Sequence, residues 1–182
     1  MIRTRQIEGI VLKRQNIGEA DRILTVLSKE SGKIQVKAPG VRRMPSRRSP
    51  HIEPLNHSMF SLYTSSRAFL PLVTEVQTLD SFSHIKTNLS SIGVAYYICE
   101  LVNGLCPDGQ ENIDIFFNLK LTLSNLGNIE TKLLVKNFER NLLEGLGFWT
   151  EAKLLETEEP YGVMERLLER KLKTTRIIPL FA

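Results

Sequence analysis

The chain is long enough for one large globular domain or two small ones, since it has 182 residues of which 42% are hydrophobic. Its charge is unevenly placed. Residues 1–79 hold 13 Lys or Arg against 6 Asp or Glu, a net charge of +7, whereas residues 80–182 hold 11 against 14, a net charge of −3. The opening residues lead into no signal-like apolar run, and no later run approaches the roughly 18 residues of a membrane span. We therefore expect a cytoplasmic protein whose basic half attracts polyanions.

Alternating apolar and polar residues predict five strands in the basic half. They cover residues 7–13, 22–28, 33–38, 59–63 and 70–76. Gly, Asp and Ser mark the turns between the strands, and a basic loop separates the third strand from the fourth. Five short antiparallel strands must cover their edges, and the five-stranded OB-fold barrel is the usual closed solution at this size. We predict such a barrel over residues 1–79.

Helical periodicity replaces alternation from about residue 80. It predicts one long helix over 80–105, then helices over 112–126, 130–146 and 160–173. Pro or Gly follows the first three. The predicted fold class is therefore α+β in two domains, with an all-α domain over residues 80–182.

The basic loop holds the strongest candidate binding residues. Residues 37–48 include five basic side chains and no acidic one: Lys37, Arg42, Arg43, Arg47 and Arg48. A guanidinium can grip phosphate oxygens through two parallel hydrogen bonds, and such binding is driven largely by counterion release. The pattern favours DNA binding, although a solvated loop kept for solubility would have the same composition.

Aromatic residues near this loop could stack on bases. The candidates are Phe60, Tyr63 and Phe69. Strand alternation favours the barrel core for Phe60 and Phe69, so Tyr63 is the predicted stacking residue.

The sequence offers no catalytic, metal or cofactor motif. Cys99 and Cys106 are about 10 Å apart if one helix carries both, too far for a disulfide, and we expect buried apolar thiols. Two thiols and three scattered histidines do not make a zinc site. We expect a protein that is not an enzyme and has no cofactor or metal.

The third predicted helix carries a second basic surface. Lys132, Lys136 and Arg140 are four residues apart and share a face, beside apolar Leu133, Val135 and Phe138. Such a stripe could receive an acidic peptide with a hydrophobic end. An ordinary exposed amphipathic face is the alternative.

Several segments in order resemble the RecO family of bacterial recombination mediators. They are residues 9–14 (GIVLKR), 17–32 (IGEADRILTVLSKESG), 37–43 (KAPGVRR), 46–47 (SR) and 138–147 (FERNLLEGLG). The resemblance implies an OB-fold domain followed by a helical domain without a catalytic centre. Many relatives carry a four-cysteine zinc motif before the last helix, but here residues 148–159 lead straight into that helix, so the chain looks like a short form without zinc.

The family resemblance also implies a function in DNA repair. Such proteins bind single- and double-stranded DNA and anneal complementary strands. With the partner RecR they load RecA onto strands coated by single-strand binding protein (SSB), in the nucleoid. The loop cations fall on the family's DNA-binding loop, and we add Lys13, Arg14 and Tyr63 to this predicted site. The acidic, Phe-ended SSB tail docks on the helical domain of relatives, and Lys136 falls near that position.

Two other functions are alternatives, and the basic loop would serve the first of them equally well. An OB-fold RNA- or ribosome-binding protein would use the same basic loop, and RNA competition would separate it from a DNA-binding protein. A carboxylate-metal nuclease would degrade DNA in Mg²⁺ or Mn²⁺.

Overall fold

Among the residues that the structure describes, the strands come first along the chain and the longer helices follow them. The computed structural model describes residues 3–44, 46–66, 68–149, 160–169, 172 and 174. The strands are β1 (Arg3–Ile17), β2 (Asp21–Ser28), β3 (Gly32–Ala38), β4 (His57–Thr64) and β5 (Leu72–Asp80). All five predicted strands are confirmed, and β1 extends beyond its predicted bounds at both ends.

The strands close into a barrel in the order β1-β2-β3-β5-β4. β1 is long enough to pair with β4 through its first part and with β2 through its second. The parallel pairing of β3 with β5, at Lys37 and Leu72, completes the closure. Where the two pairings of β1 overlap, a Cβ on Gly9 would come within 2.4 Å of Val26 Cγ1, so the close approach requires glycine. The predicted OB-fold barrel is confirmed.

Inward-facing side chains from every strand fill the barrel interior. The fully buried members include Ile7, Leu24, Val36, Phe60 and Val73, one from each strand. Burying an aliphatic or phenyl side chain of this size contributes about 1.5–3 kcal/mol. The period-two pattern in the sequence therefore reports which face of each strand points inward.

Within the described residues, five helices follow the barrel. They are α1 (Ser83–Lys86), α2 (Leu89–Leu105), α3 (Ile113–Asn125), α4 (Thr131–Gly145) and α5 (Pro160–Leu168). α3 and α4 agree with their predicted bounds within one residue at each end. α5 begins within one residue of its predicted start but ends at Leu168, because the next residue, Glu169, has a φ of 51° and so leaves the right-handed helical conformation.

The prediction of one long helix over residues 80–105 is wrong. β5 continues to Asp80, and the helical stretch is broken between α1 and α2. The Asn88 side chain accepts hydrogen bonds from the amides of Ser90 (2.9 Å) and Ser91 (3.3 Å), which caps the start of α2. These bonds take the place of the backbone bonds that would join α1 and α2 into one helix. The apolar spacing continues across the break and therefore did not predict it.

The chain divides into two compact units. One comprises Met1–Ser81 with Asp108–Glu111, and the other Phe82–Pro107 with Asn112–Ala182. Within the first unit, the Gly109 amide donates to the Lys33 carbonyl at 2.8 Å, and Lys33 Nζ lies 3.2 Å from Asp108 Oδ1. Residues 108–111, which lie between α2 and α3 in the chain, are thus part of the barrel unit.

Candidate nucleic-acid interface

Three connections meet at one end of the barrel: the β1–β2 turn, the start of the β3–β4 loop and the β4–β5 loop. The Gly40 amide in the β3–β4 loop donates to Asp21 Oδ1 at 2.8 Å, directly after the β1–β2 turn. The Lys37 amide donates to the Pro71 carbonyl at 2.8 Å, directly after the β4–β5 loop. We call the surface formed by residues 13–22, 37–44, 46–48, 63–66 and 68–73 the cationic end.

Asp21 fixes the start of the basic loop. Its second oxygen accepts from Lys37 Nζ at 2.8 Å. The hydrogen bond from Lys37 is the largest cause that lowers the pKa of the Asp21 carboxyl below its ordinary value of 3.8, followed by the bond from Gly40. Gly40 itself has a φ of +68°, a conformation that glycine adopts without strain. The carboxylate of Asp21 therefore holds the loop and engages the predicted DNA-binding residue Lys37.

Arg42 is held by the β1–β2 turn while its side chain remains exposed. Its backbone amide donates to the Ala20 carbonyl at 2.9 Å, and its guanidinium donates to the Gly18 carbonyl at 3.0 Å. One such bond leaves several of the five guanidinium donors available. Arg42 thus presents charge from a fixed position.

Arg48 has a different place in the structure. Its guanidinium is partly buried and donates to the Val73 carbonyl and to the Pro39 carbonyl, each at 2.7 Å. These bonds tie the end of the basic segment to its start and to strand β5. The structure therefore gives Arg48 a role in holding the loop, although the sequence pattern grouped it with the DNA-binding arginines.

Arg43, Arg47 and Lys13 are further exposed cations of this end. Among the described residues, none of the three side chains makes a hydrogen bond or ion pair. Arg43 acts on Asp21 only through its charge, the smallest of the effects that lower the pKa of that carboxyl. These side chains can turn toward a polyanion without first breaking a bond within the described part of the protein.

Glu53 gathers two other arginines at the end of the β3–β4 loop. It forms an ion pair with Arg14 and another with Arg22, whose Nη1 lies 3.2 Å from Glu53 Oε1. Neither Arg22 nor Glu53 was singled out from the sequence. The alternating pattern of β2 gave no sign that Arg22 would face this carboxylate. Arg14, a predicted DNA-binding residue, is thus partly neutralised in the free protein.

The aromatic residues lie only partly as predicted. Phe60 is fully buried in the barrel core, which confirms its prediction. Tyr63 is half-buried on β4, opposite Leu72 of β5. The prediction of a core position for Phe69 is wrong, because the side chain is 99% exposed on the β4–β5 loop. β5 begins at residue 72, so the alternation that extended the predicted strand back to residue 70 did not apply to Phe69.

The basic surface of the helical unit lies on α4. Lys132, Lys136 and Arg140 are exposed, and Arg140 forms an ion pair with Glu144 at 3.3 Å. Of the apolar neighbours, Leu133 is exposed, Val135 is half-buried and Phe138 is buried. Leu133 is therefore the apolar side chain of this set that is most open to an incoming ligand.

The remaining predicted chemistry concerns thiols, metals and membranes. Cys99 and Cys106 are buried free thiols, and burial raises the pKa of Cys99 to about 12. Within the described residues no three His, Cys, Asp or Glu side chains form a possible metal site. Residues 150–159, before the last helix, lie outside the described part. No helix in the described ranges has the length and apolar character needed to cross a bilayer.

The fold and its exposed cations define a class: two-domain proteins with an OB-fold barrel followed by a helical domain. A family model named Recombination protein O N terminal matches residues 1–82, and one named Recombination protein O C terminal matches residues 86–151. The chain belongs to the RecO family.

Curated relatives carry the name DNA repair protein RecO. The protein of Pelotomaculum thermopropionicum is 33% identical over 141 residues, which cover 78% of this chain and 54% of that protein. That of Roseiflexus sp. strain RS-1 is 37% identical over 147 residues, covering 80% and 51%. That of Dehalococcoides mccartyi strain 195 is 37% identical over 146 residues, covering 80% and 57%. The chain spans about half the length of the curated relatives it matches.

Proposed function

We propose that this protein is a DNA repair mediator whose cationic end binds the phosphates of single- and double-stranded DNA. One observation supports the proposal most directly. Arg42, Arg43 and Arg47 are exposed at one barrel end and none has a carboxylate partner among the described residues. Family membership and the names of the relatives agree with it. Arg48 and Asp21 support the site by fixing the loop that carries the cations.

The proposed mechanism is strand annealing without a catalytic step. Guanidinium groups neutralise backbone phosphates, which lowers the repulsion between two strands. The bases stay free to pair, since the charged contacts are made to the backbone. Neither nucleotide hydrolysis nor a cofactor is needed. With the partner RecR, the protein would then help RecA to load onto strands coated by SSB.

The DNA-binding test removes three exposed arginines of the loop and keeps Arg48, which holds the loop in place. In the triple variant R42A/R43A/R47A we expect weaker binding to DNA of every sequence. The slope of log K against log salt should fall by about 2 on single strands, at roughly 0.7 per lost phosphate contact. The control K132A/K136A/R140A removes the same number of cations from α4. Unchanged affinity and slope in the triple barrel variant would contradict the proposed site.

RNA of the same base sequence provides the competing ligand in this assay. Preferential displacement of DNA by RNA would favour the alternative function, because contacts to the 2′-hydroxyl distinguish the two.

Testing the proposed mediator function requires an assay that contains the partners SSB and RecR. Complementary strands are coated with SSB and mixed with the protein, with and without RecR, and annealing is followed by fluorescence energy transfer between the strands. We expect annealing that the triple barrel variant lacks. Annealing at the uncatalysed rate with the wild-type protein would contradict the proposal.

We further propose that the α4 surface binds the acidic, Phe-ended tail of SSB. Lys132, Lys136 and Arg140 would contact carboxylates, and Leu133 would contact the terminal ring. Titration with a labelled tail peptide should show weaker binding in K132A/K136A/R140A and in a peptide without its last Phe. Equal binding of both peptides to both proteins would contradict this assignment.

A further inference from the structure

Two apolar side chains of the barrel unit stand almost entirely in solvent. Met44 is 97% exposed and Phe69 is 99% exposed, whereas the next most exposed large apolar side chain in the described ranges, Leu121, is 65% exposed. Partly exposed apolar residues are common on protein surfaces and need no explanation. A phenyl ring with almost no protein contact gains nothing from folding, so its position suggests an external ligand.

Both side chains belong to the cationic end. Met44 directly follows Arg43 in the basic loop. Phe69 lies two residues before Pro71, whose carbonyl accepts the Lys37 amide at 2.8 Å, and two residues span at most about 7 Å. Arg48 joins the basic loop to the start of β5, directly after the loop that carries Phe69, since it donates to the carbonyls of both Pro39 and Val73. The exposed ring and the exposed cations therefore lie on connected loops of one barrel end.

The combination fits a particular ligand chemistry. Cations bind phosphates in single strands and duplexes alike. An aromatic ring stacks most readily on a base face that is not already stacked in a duplex, and an apolar methionine side chain can pack beside such a base. Tyr63 is less suited to this role, because it is half-buried in strand β4.

We propose that Phe69, assisted by Met44, stacks on unpaired bases and gives the cationic end a preference for single strands over duplexes. The inference rests on the proposed DNA-binding function and adds the strand type to it. It assigns Phe69 the role of setting specificity, while Arg42, Arg43 and Arg47 supply the affinity common to both forms of DNA.

The test compares F69A with wild type on a labelled single strand and on the matching duplex, across a range of salt concentrations. We expect F69A to bind the single strand about 5- to 150-fold more weakly, the usual effect of losing one stacked base. Duplex affinity and both salt slopes should stay the same, because no cation is removed. F69W should restore single-strand binding. A 2-aminopurine base in the strand should be quenched by wild type and by F69W but not by F69A.

L79A is the matched control, since Leu79 is also exposed but lies near the end of β5 opposite the cationic end. An equal loss on single strand and duplex in F69A, or no loss on either, would overturn the stacking assignment while leaving the DNA-binding proposal intact. Failure of the wild-type protein to bind any DNA at low salt would overturn the proposed function itself. Far-ultraviolet circular dichroism verifies that each variant is folded.

Discussion

Replacing Arg48 with alanine tests whether one arginine of the basic loop is structural. The side chain donates to the carbonyls of Val73 and Pro39, each at 2.7 Å. A hydrogen bond to a charged group contributes about 1.5–3 kcal/mol net. Arg48 is only partly buried, so water can satisfy the released carbonyls in part, and we take the lower value for each bond. R48A should therefore cost about 3 kcal/mol of local stability.

The neighbouring residue provides the control. Arg47 is exposed and makes no hydrogen bond among the described residues, so R47A should change stability by less than about 0.5 kcal/mol. The assay is amide hydrogen exchange at Lys37, whose N–H bonds to Pro71 between β3 and β5. We expect exchange about 100-fold faster in R48A and unchanged in R47A. Equal exchange rates in the two variants would refute the structural role of Arg48.

Three further predictions follow from single contacts. The Asp21 carboxylate accepts the hydrogen bond from the Gly40 amide, and this bond weakens when the carboxyl is protonated as the pH falls below 3.8. The Gly40 amide proton should therefore shift in NMR spectra over that pH range, and D21N should abolish the shift. Cys99 should resist alkylation at pH 8 until the protein unfolds, because burial raises its pKa to about 12. Between pH 9 and 12 the thiol ionises in the unfolded state but not in the folded state, so the free energy of unfolding should fall over this range, and C99A should remove that contribution. N88A should destabilise the helical unit by about 1 kcal/mol in urea denaturation while N88D does not, and equal stabilities would show that the cap is dispensable.

The sequence was enough to locate the candidate site, but not to distinguish the exposed cations from those that hold the loop. Five cations within residues 37–48 predicted a basic loop, and the structure places that loop at one barrel end. The same composition gave no sign that Arg48 would turn toward carbonyls 9 and 25 residues away. It also did not show that Asp21 would hold Lys37 and Gly40 together. Such contacts join residues that become neighbours only after the barrel closes.

The sequence by itself determined the kinds of elements, the five-stranded barrel, the uneven charge and the family resemblance. Alternation and helical spacing are local properties, because they reflect which face of a strand or helix is buried. Only the tertiary structure decided the exposure of Phe69 and the difference between Arg47 and Arg48. Both depend on which distant groups come to lie beside the side chain, and these groups become neighbours only when the barrel closes.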